Sequence, residues 1–416
     1  MLYAGPEVRA PKRTRIATLN SHPIQYFAPL YAYLNTAPDL EVTALYLSDV
    51  SIRGGKDSGF GRDVKWDVDL LAGYPSAFLG KAAQRQPAGF WSLIAPQVWN
   101  EVRSGRYDVL WLHGHQYAAN LIGLMAAKTA GVPVLMRGDS ILGVPSRGIK
   151  SALRRPALKT LYCLCDRFLA VGTANAAFYR AMGVPERKIF VLPYSVDNDR
   201  FIKAAKLTAA ERDRVRKQYG IPHDLPAMLY AAKFTTRKRP RDMLEAARRL
   251  KAEGIRPFTV VMTGSGELEL ELRKYCADHG LDNVVFTGFA NQSDLPALYG
   301  AVDIFVLPSE NEPFGLAVNE AMCASLPVVV SREVGCVPDL VGDGINGYTP
   351  SAGDVTGLSR ALRRLIESED LRQRQGEASL ARIQLWGYRE CLQGLRAALA
   401  SLSYPVHQAK PMFRMN

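Results

Sequence analysis

Short runs rich in Val, Ile and Leu recur along the chain, separated by stretches in which apolar residues return every three or four positions. Runs at 15–19, 41–47, 109–113, 132–136, 167–171 and 189–191 form one series of predicted strands. A second series follows at 228–232, 259–263, 284–287, 304–307 and 327–331. Apolar runs without polar alternation are the pattern of parallel strands covered on both faces. Amphipathic stretches such as 239–253 and 267–279 supply the covering helices. The alternation predicts an α/β chain of two Rossmann-like, doubly wound sheets.

A length of 416 residues exceeds what one hydrophobic core usually holds, so the two series are read as two domains. PYSVDNDR, at 193–200, carries a proline and turn-forming residues between them. The expected division is an N-terminal domain at 1–197 and a C-terminal domain at 198–384, entered through a basic helix at 209–219. After the last strand, 385–402 places Trp386, Leu392, Leu395 and Leu399 at helical spacing. The terminal segment 385–416 is expected to cross back and complete the first domain. No internal repeat or low-complexity segment interrupts this plan.

Composition narrows the function classes. A hydrophobic share of 48% and a charged share of 22% are those of a globular protein. No stretch approaches the ~20 apolar residues of a membrane span. The opening MLYAGPEVRAPKRTR has no apolar signal core, so a cytoplasmic location is expected. The six cysteines are read as buried small residues without a disulfide frame or zinc spacing, and the six histidines form no metal-ligand cluster. The 52 Lys and Arg exceed the 40 Asp and Glu by 12 charges, which favours anionic partners: nucleic acid, phosphorylated substrates or acidic lipid.

The sharpest chemical signal is PSENEPFGLAVNEAMCASLPVVV at 308–330. Glu312 and Glu320 stand with seven residues between them, across a helix start expected near 314–316. The free N–H groups of Phe314, Gly315 and Leu316 would face an anion, and Glu320 suits the hydroxyls of a ribose. Two glutamates flanking a helix start are also common as capping and surface residues. YAAKFTTRKRP, at 230–240, follows the first strand of the second series and carries Lys233, Arg237, Lys238 and Arg239. Beyond a strand's carboxyl end these cations are placed to neutralise a diphosphate; a solvated basic loop is the plain alternative. Gly264-Ser265-Gly266 reads as a phosphate-cradling turn or merely a tight strand-to-helix turn. Gly335 and Gly344 mark further tight loops.

In order, Lys233-x4-Lys238, Gly264-Ser265-Gly266, FTGF at 286–289, Asp303 followed by PSE, Glu312-x7-Glu320, PVVVS and NGY resemble the donor-binding domain of glycosyltransferase family four, over about 228–350. A weaker likeness runs through SHPIQYFAPLY (21–31), GFGRDVKWDV (59–68), RGDS (137–140) and PYSVDN (193–198), similar to bacterial members that build surface polysaccharides and glycolipids. The resemblance implies the GT-B fold: two Rossmann-like domains facing a cleft, with the C-terminal helix crossing back. It implies retaining transfer of a hexose-like sugar from a nucleoside-diphosphate sugar to a saccharide or lipid-linked acceptor, with no metal or other cofactor. Lys233 and Lys238 map to diphosphate contacts, Lys233 replacing a more usual arginine and so losing its bidentate fork. Glu312 maps to the donor sugar's hydroxyls, Glu320 to the ribose, the N–H groups about Leu316 to the phosphates, and the backbone of 287–289, ending at Phe289, to the nucleobase. Glu312, Lys238 and Asp139 are the candidates to carry the reaction.

The first half departs from the family pattern. Asn20-Ser21-His22-Pro23-Ile24-Gln25 stands where many members have a glycine-rich loop, and Arg137-Gly138-Asp139 where many have a histidine that meets the sugar. Asp139 is a sugar contact or a turn carboxylate; His22 and Gln25 are candidate cleft residues, and His113 and His115 candidate borders of the acceptor site. Arg147, Lys150, Arg154, Arg155 and Lys159 recur along one helix-like stretch, either a solvated face or a surface for acidic membrane. The rival readings are a sugar-nucleotide epimerase or a phosphorylase of the same architecture, an inactive homologue, and a basic nucleic-acid binder. The last lacks any zinc-finger or RNA-binding signature, so no nucleic-acid partner is expected.

Overall fold

The computed structural model describes residues 13–57, 59–80, 87–143 and 149–402. Fifteen strands are found among them: β1 (Thr14–Asn20), β2 (Leu40–Tyr46), β3 (Gly55–Asp57), β4 (Arg62–Val64), β5 (Ser76–Phe78), β6 (Val109–His113), β7 (Val134–Arg137), β8 (Arg167–Ala170) and β9 (Ile189–Val191) in the first half. The second half holds β10 (Ala227–Ala231), β11 (Thr259–Thr263), β12 (Val284–Gly288), β13 (Ile304–Leu307), β14 (Val328–Val330) and β15 (Gly347–Tyr348). The first sheet runs β5-β2-β1-β6-β7-β8-β9 and the second β12-β11-β10-β13-β14-β15. Every pair within these two sheets is parallel, and β3 and β4 form a separate antiparallel hairpin.

Burial on both faces explains the unbroken apolar runs. Along β6, Leu110 and Leu112 enter one core cluster while Val109 and Trp111 enter the cluster on the opposite face. Along β10, Leu229 lies in one cluster and Met228 and Tyr230 in the other. Each side chain removed from water stabilises the sheet by about 1.5–3 kcal/mol for residues of this size.

The helix Tyr388–Leu402 packs on β8, β9 and the helix Ala28–Leu34, so the end of the chain does return to the first sheet. Cys391, Leu395 and Ala398 enter its core, and Arg167 Nε donates to Ser401 Oγ at 2.6 Å. The helix Asn198–Ala205 instead packs on Leu295–Gly300 and Leu316–Cys323 of the second half.

One sequence expectation is corrected here. Five cysteines are buried, but Cys163 is exposed at the last turn of the helix Ile149–Cys163, on its solvent side. Of the basic series, Arg147 lies outside the described residues, as do the side chains of Lys150 and Arg154; Arg155 and Lys159 are exposed. Among the described residues no helix is long and apolar enough to cross a membrane.

Candidate functional site

In a doubly wound sheet, the connections from two adjacent strands leave to opposite faces at one point, opening a crevice beyond their carboxyl ends. In the second sheet that point lies between β10 and β13, and in the first between β1 and β6. The loop after β10 carries Lys233 and Lys238, and the loop after β13 carries Glu312. The loop after β1 carries Gln25 and Tyr26. All five line one cleft of about 500 Å³ between the halves.

The cations are held by carboxylates. Lys238 Nζ donates to Glu312 Oε2, and Arg237 Nη1 lies 3.4 Å from the same oxygen. Burial pulls the Lys238 ammonium below its ordinary pKa. Lys233 Nζ contacts both oxygens of Asp57, at 2.7 and 2.9 Å, across the gap between the halves. The two lysines predicted as neighbours therefore share the cleft, each with its own carboxylate.

The short helix Leu316–Cys323 starts where the sequence placed it, with Gly315 as its N-cap at φ 96°. Phe314, Gly315, Leu316 and Ala317 line the cleft, so the helix end with free N–H groups opens on this space. Glu320 stands in the second turn and is only 3% exposed. Its Oε2 accepts from Tyr299 Oη at 2.9 Å and its Oε1 from Tyr26 Oη at 3.1 Å. Burial raises its pKa from 4.5 to about 7, the two hydroxyls working in the opposite direction.

The glycine turn divides. Gly264 lines the cleft with φ 135°, and a Cβ there would stand 2.1 Å from the Ala232 carbonyl. Its backbone must therefore pass close behind the Lys233 loop. Gly266 does not line the cleft; it packs on Phe234, where a Cβ would meet the carbonyl oxygen at 2.6 Å. Gly266 is thus corrected from a cradling position to a packing one. Phe289 lines the cleft.

On the first half, a second cavity of about 170 Å³ is lined by Ser21, His113, His115, Gln116 and Tyr117, among others. Asp139 and Tyr194 line both cavities and so stand at their junction. Burial raises the Asp139 carboxyl, and the nearby Glu312 charge acts in the same direction. His113 is half-buried against Tyr31, its Nε2 2.7 Å from the Tyr31 hydroxyl, and desolvation lowers its pKa. Gln25 lines the larger cleft, but His22 lines neither space. It sits against Ser21 at 2.9 Å, and burial pulls its pKa down to about 4. Arg137 is buried in the wall of this second cavity, its guanidinium over the rings of Phe27 and Tyr194 at 5.3 and 5.2 Å.

Sequence reasoning missed Tyr26, Asp57, Phe60, Trp66 and Tyr299, all of which line the cleft. Three of these lie in or beside GFGRDVKWDV, a segment noted for likeness alone.

Known proteins align with this architecture. A family model described as glycosyl transferases group 1 matches residues 211–382, and one described as glycosyltransferase family 4 matches 71–200. The chain is 29% identical to 2-deoxystreptamine glucosyltransferase of Streptomyces kanamyceticus, over 62% of this chain and 68% of that protein. It is 28% identical to D-inositol 3-phosphate glycosyltransferase of Streptomyces scabiei, over 70% of this chain and 67% of that protein. The fold is similar to that of Anabaena HepE in complex with UDP, with a TM-score of 0.73 at 19% identity, covering 94% of this chain and 100% of that one. The two family models fall one on each half and together span most of the chain. With two facing Rossmann-like sheets and a returning helix, this chain belongs to the family 4, group 1 glycosyltransferases and is a sugar-transferring enzyme of the GT-B fold.

Proposed function

We propose that the enzyme takes a sugar from a nucleoside-diphosphate sugar and passes it, with retention and without a metal, to a saccharide or lipid-linked acceptor in the assembly of surface polysaccharide or glycolipid. One observation carries this reading. Lys233, Arg237, Lys238 and the open end of a helix converge on one cleft beside two glutamates with seven residues between them. The similar fold of HepE is known with UDP bound, which supports a nucleotide in this cleft.

The diphosphate that leaves carries growing negative charge, while the sugar becomes oxocarbenium-like. Fixed ammonium and guanidinium groups and a helix N-terminus stabilise such charge without reorganising. Glu312, gripped by Lys238 and Arg237, is oriented to accept hydrogen bonds from the donor sugar's hydroxyls. Glu320 receives the ribose. Asp139, at the junction of the two cavities, lies between donor and acceptor sides, and its raised pKa suits a group that holds a proton near the transferred sugar. Retention follows when the acceptor attacks on the face the diphosphate leaves, the departing phosphate taking the acceptor's proton.

Incubation with a panel of nucleoside-diphosphate sugars in EDTA, with NMR of the product's anomeric carbon, tests the proposal. Release of one nucleoside diphosphate and an anomer matching the donor are expected; an inverted anomer or dependence on added metal contradicts it. The exposed Arg155 and Lys159 fit work in the cytoplasm at the inner membrane face. Sedimentation with anionic vesicles is expected at low salt and to weaken as salt rises; no binding at either salt removes the membrane from the account.

A further inference from the structure

We propose that the hairpin of β3 and β4, with Trp66 just beyond it, is a nucleobase-binding wall that the N-terminal half supplies to the donor site. The inference rests on the nucleotide-sugar reading above and adds a specificity element to it.

The hairpin leaves the first half and lies against the second. Ser265 Oγ donates to the Phe60 carbonyl at 2.9 Å, and Asn291 Nδ2 to the Lys65 carbonyl at 2.9 Å. The Ser293 backbone N–H donates to Asp67 at 3.2 Å, and its hydroxyl donates to the same carboxylate. Asp57 closes the far end on Lys233 and shapes the tip by accepting from the N–H groups of Gly59 and Phe60 at 2.8 and 3.0 Å. Four contacts along 57–67 thus fix this segment over the loops that follow β10, β11 and β12.

What it brings there is aromatic. Phe60 meets Phe289 edge-on at 5.0 Å between ring centroids, and Trp66 is tilted against Phe289 at 6.1 Å. All three rings line the cleft and are only partly buried. Two of the rings also carry a cation, Lys233 Nζ over Phe60 at 4.6 Å and the Arg62 guanidinium over Phe289 at 5.2 Å, while Glu312 engages Lys238 and Glu320 its two tyrosines. A partly open cluster of flat rings beside them is suited to a planar heterocycle, which stacks on aromatic faces through dispersion and polarisation. The ring cluster adjoins Ala290 and Gln292, which also line the cleft, at the carboxyl end of β12. A base placed there leaves its ribose toward Glu320 and its diphosphate toward the lysines. Because Phe60 and Trp66 come from one half and Phe289 from the other, a base held among them also ties the halves together.

The test compares ligands with and without a base. Binding of UDP, GDP, ADP and inorganic pyrophosphate is measured by calorimetry on the wild type, Trp66→Ala, Trp66→Phe and Phe60→Ala. Stacking of this kind predicts a 10- to 100-fold loss of affinity for the preferred nucleoside diphosphate in the alanine variants. Pyrophosphate affinity is expected to stay within about twofold, and Trp66→Phe to restore most of the loss. If both ligand types weaken equally, the hairpin only clasps the halves and the proposal falls. If Trp66→Ala and Phe60→Ala bind the nucleotide as the wild type does, it also falls, while the donor reading stands. If the wild type binds no nucleoside diphosphate, both fall together.

Discussion

Replacing Lys238 by alanine is expected to lower kcat/KM for the donor by roughly two to three orders of magnitude, the loss typical of removing one fixed donor to transition-state charge. Lys238 is the better buried of the two cleft lysines, its side chain 15% exposed against 35% for Lys233. Its charge therefore acts through less water. The substitution also frees Glu312, whose remaining cation is Arg237 at 3.4 Å. A carboxylate at 13% side-chain exposure with one long contact repels the incoming diphosphate, which adds to the loss. Lys238→Arg keeps the charge and should recover a measurable part of the activity. Initial rates against donor concentration separate the outcomes: loss carried in kcat places Lys238 at the departing phosphate, and loss confined to KM places it at ground-state binding.

Glu320 supplies the second large effect, with a sign set by its raised pKa. Its carboxyl is neutral below about pH 7 and charged above it. The charged form is the stronger acceptor for ribose hydroxyls, so donor KM should rise as pH is lowered from 8 to 6. Folding runs the other way. A carboxyl whose folded pKa lies above its unfolded value holds its proton more tightly when folded, so stability falls as pH rises between 4.5 and about 7. The shift corresponds to roughly 3 kcal/mol at alkaline pH. Glu320→Gln therefore should unfold at a higher temperature than the wild type at pH 8, yet bind donor at least tenfold more weakly and with a flat pH profile. Thermal unfolding and donor KM at pH 6, 7 and 8 check both halves of this trade.

How far the sequence carried the structure follows from where each piece of information resides. Strands such as β6, β11 and β13 were legible to the residue because their apolar runs are set by local burial on two faces. The helix start at Leu316 was legible because Pro313 and Gly315 act within a few positions. The hairpin was not. Gly55–Asp57 and Arg62–Val64 are polar three-residue strands with no periodicity, and what fixes them is contact with loops 176 to 226 residues away. Tyr26 and Glu320 are 294 positions apart, so no spacing rule joins them. His22 and Gly266 show the opposite error. Both are residue types with chemical promise in suggestive loops, yet His22 bonds its neighbour Ser21 outside both cavities and Gly266 packs on the Phe234 backbone.

The central claim is that the cleft between the sheets holds a nucleoside-diphosphate sugar through Lys238 and Glu320. A thermal-shift titration with nucleoside diphosphates and their sugars, on the wild type, Lys238→Ala and Glu320→Ala, tests it most directly. A ligand bound only by the folded state raises the melting temperature as its concentration passes Kd. The account predicts a rise with one nucleotide family that is lost or sharply reduced in both variants. No rise with any nucleotide, or a rise undiminished in both variants, would contradict it.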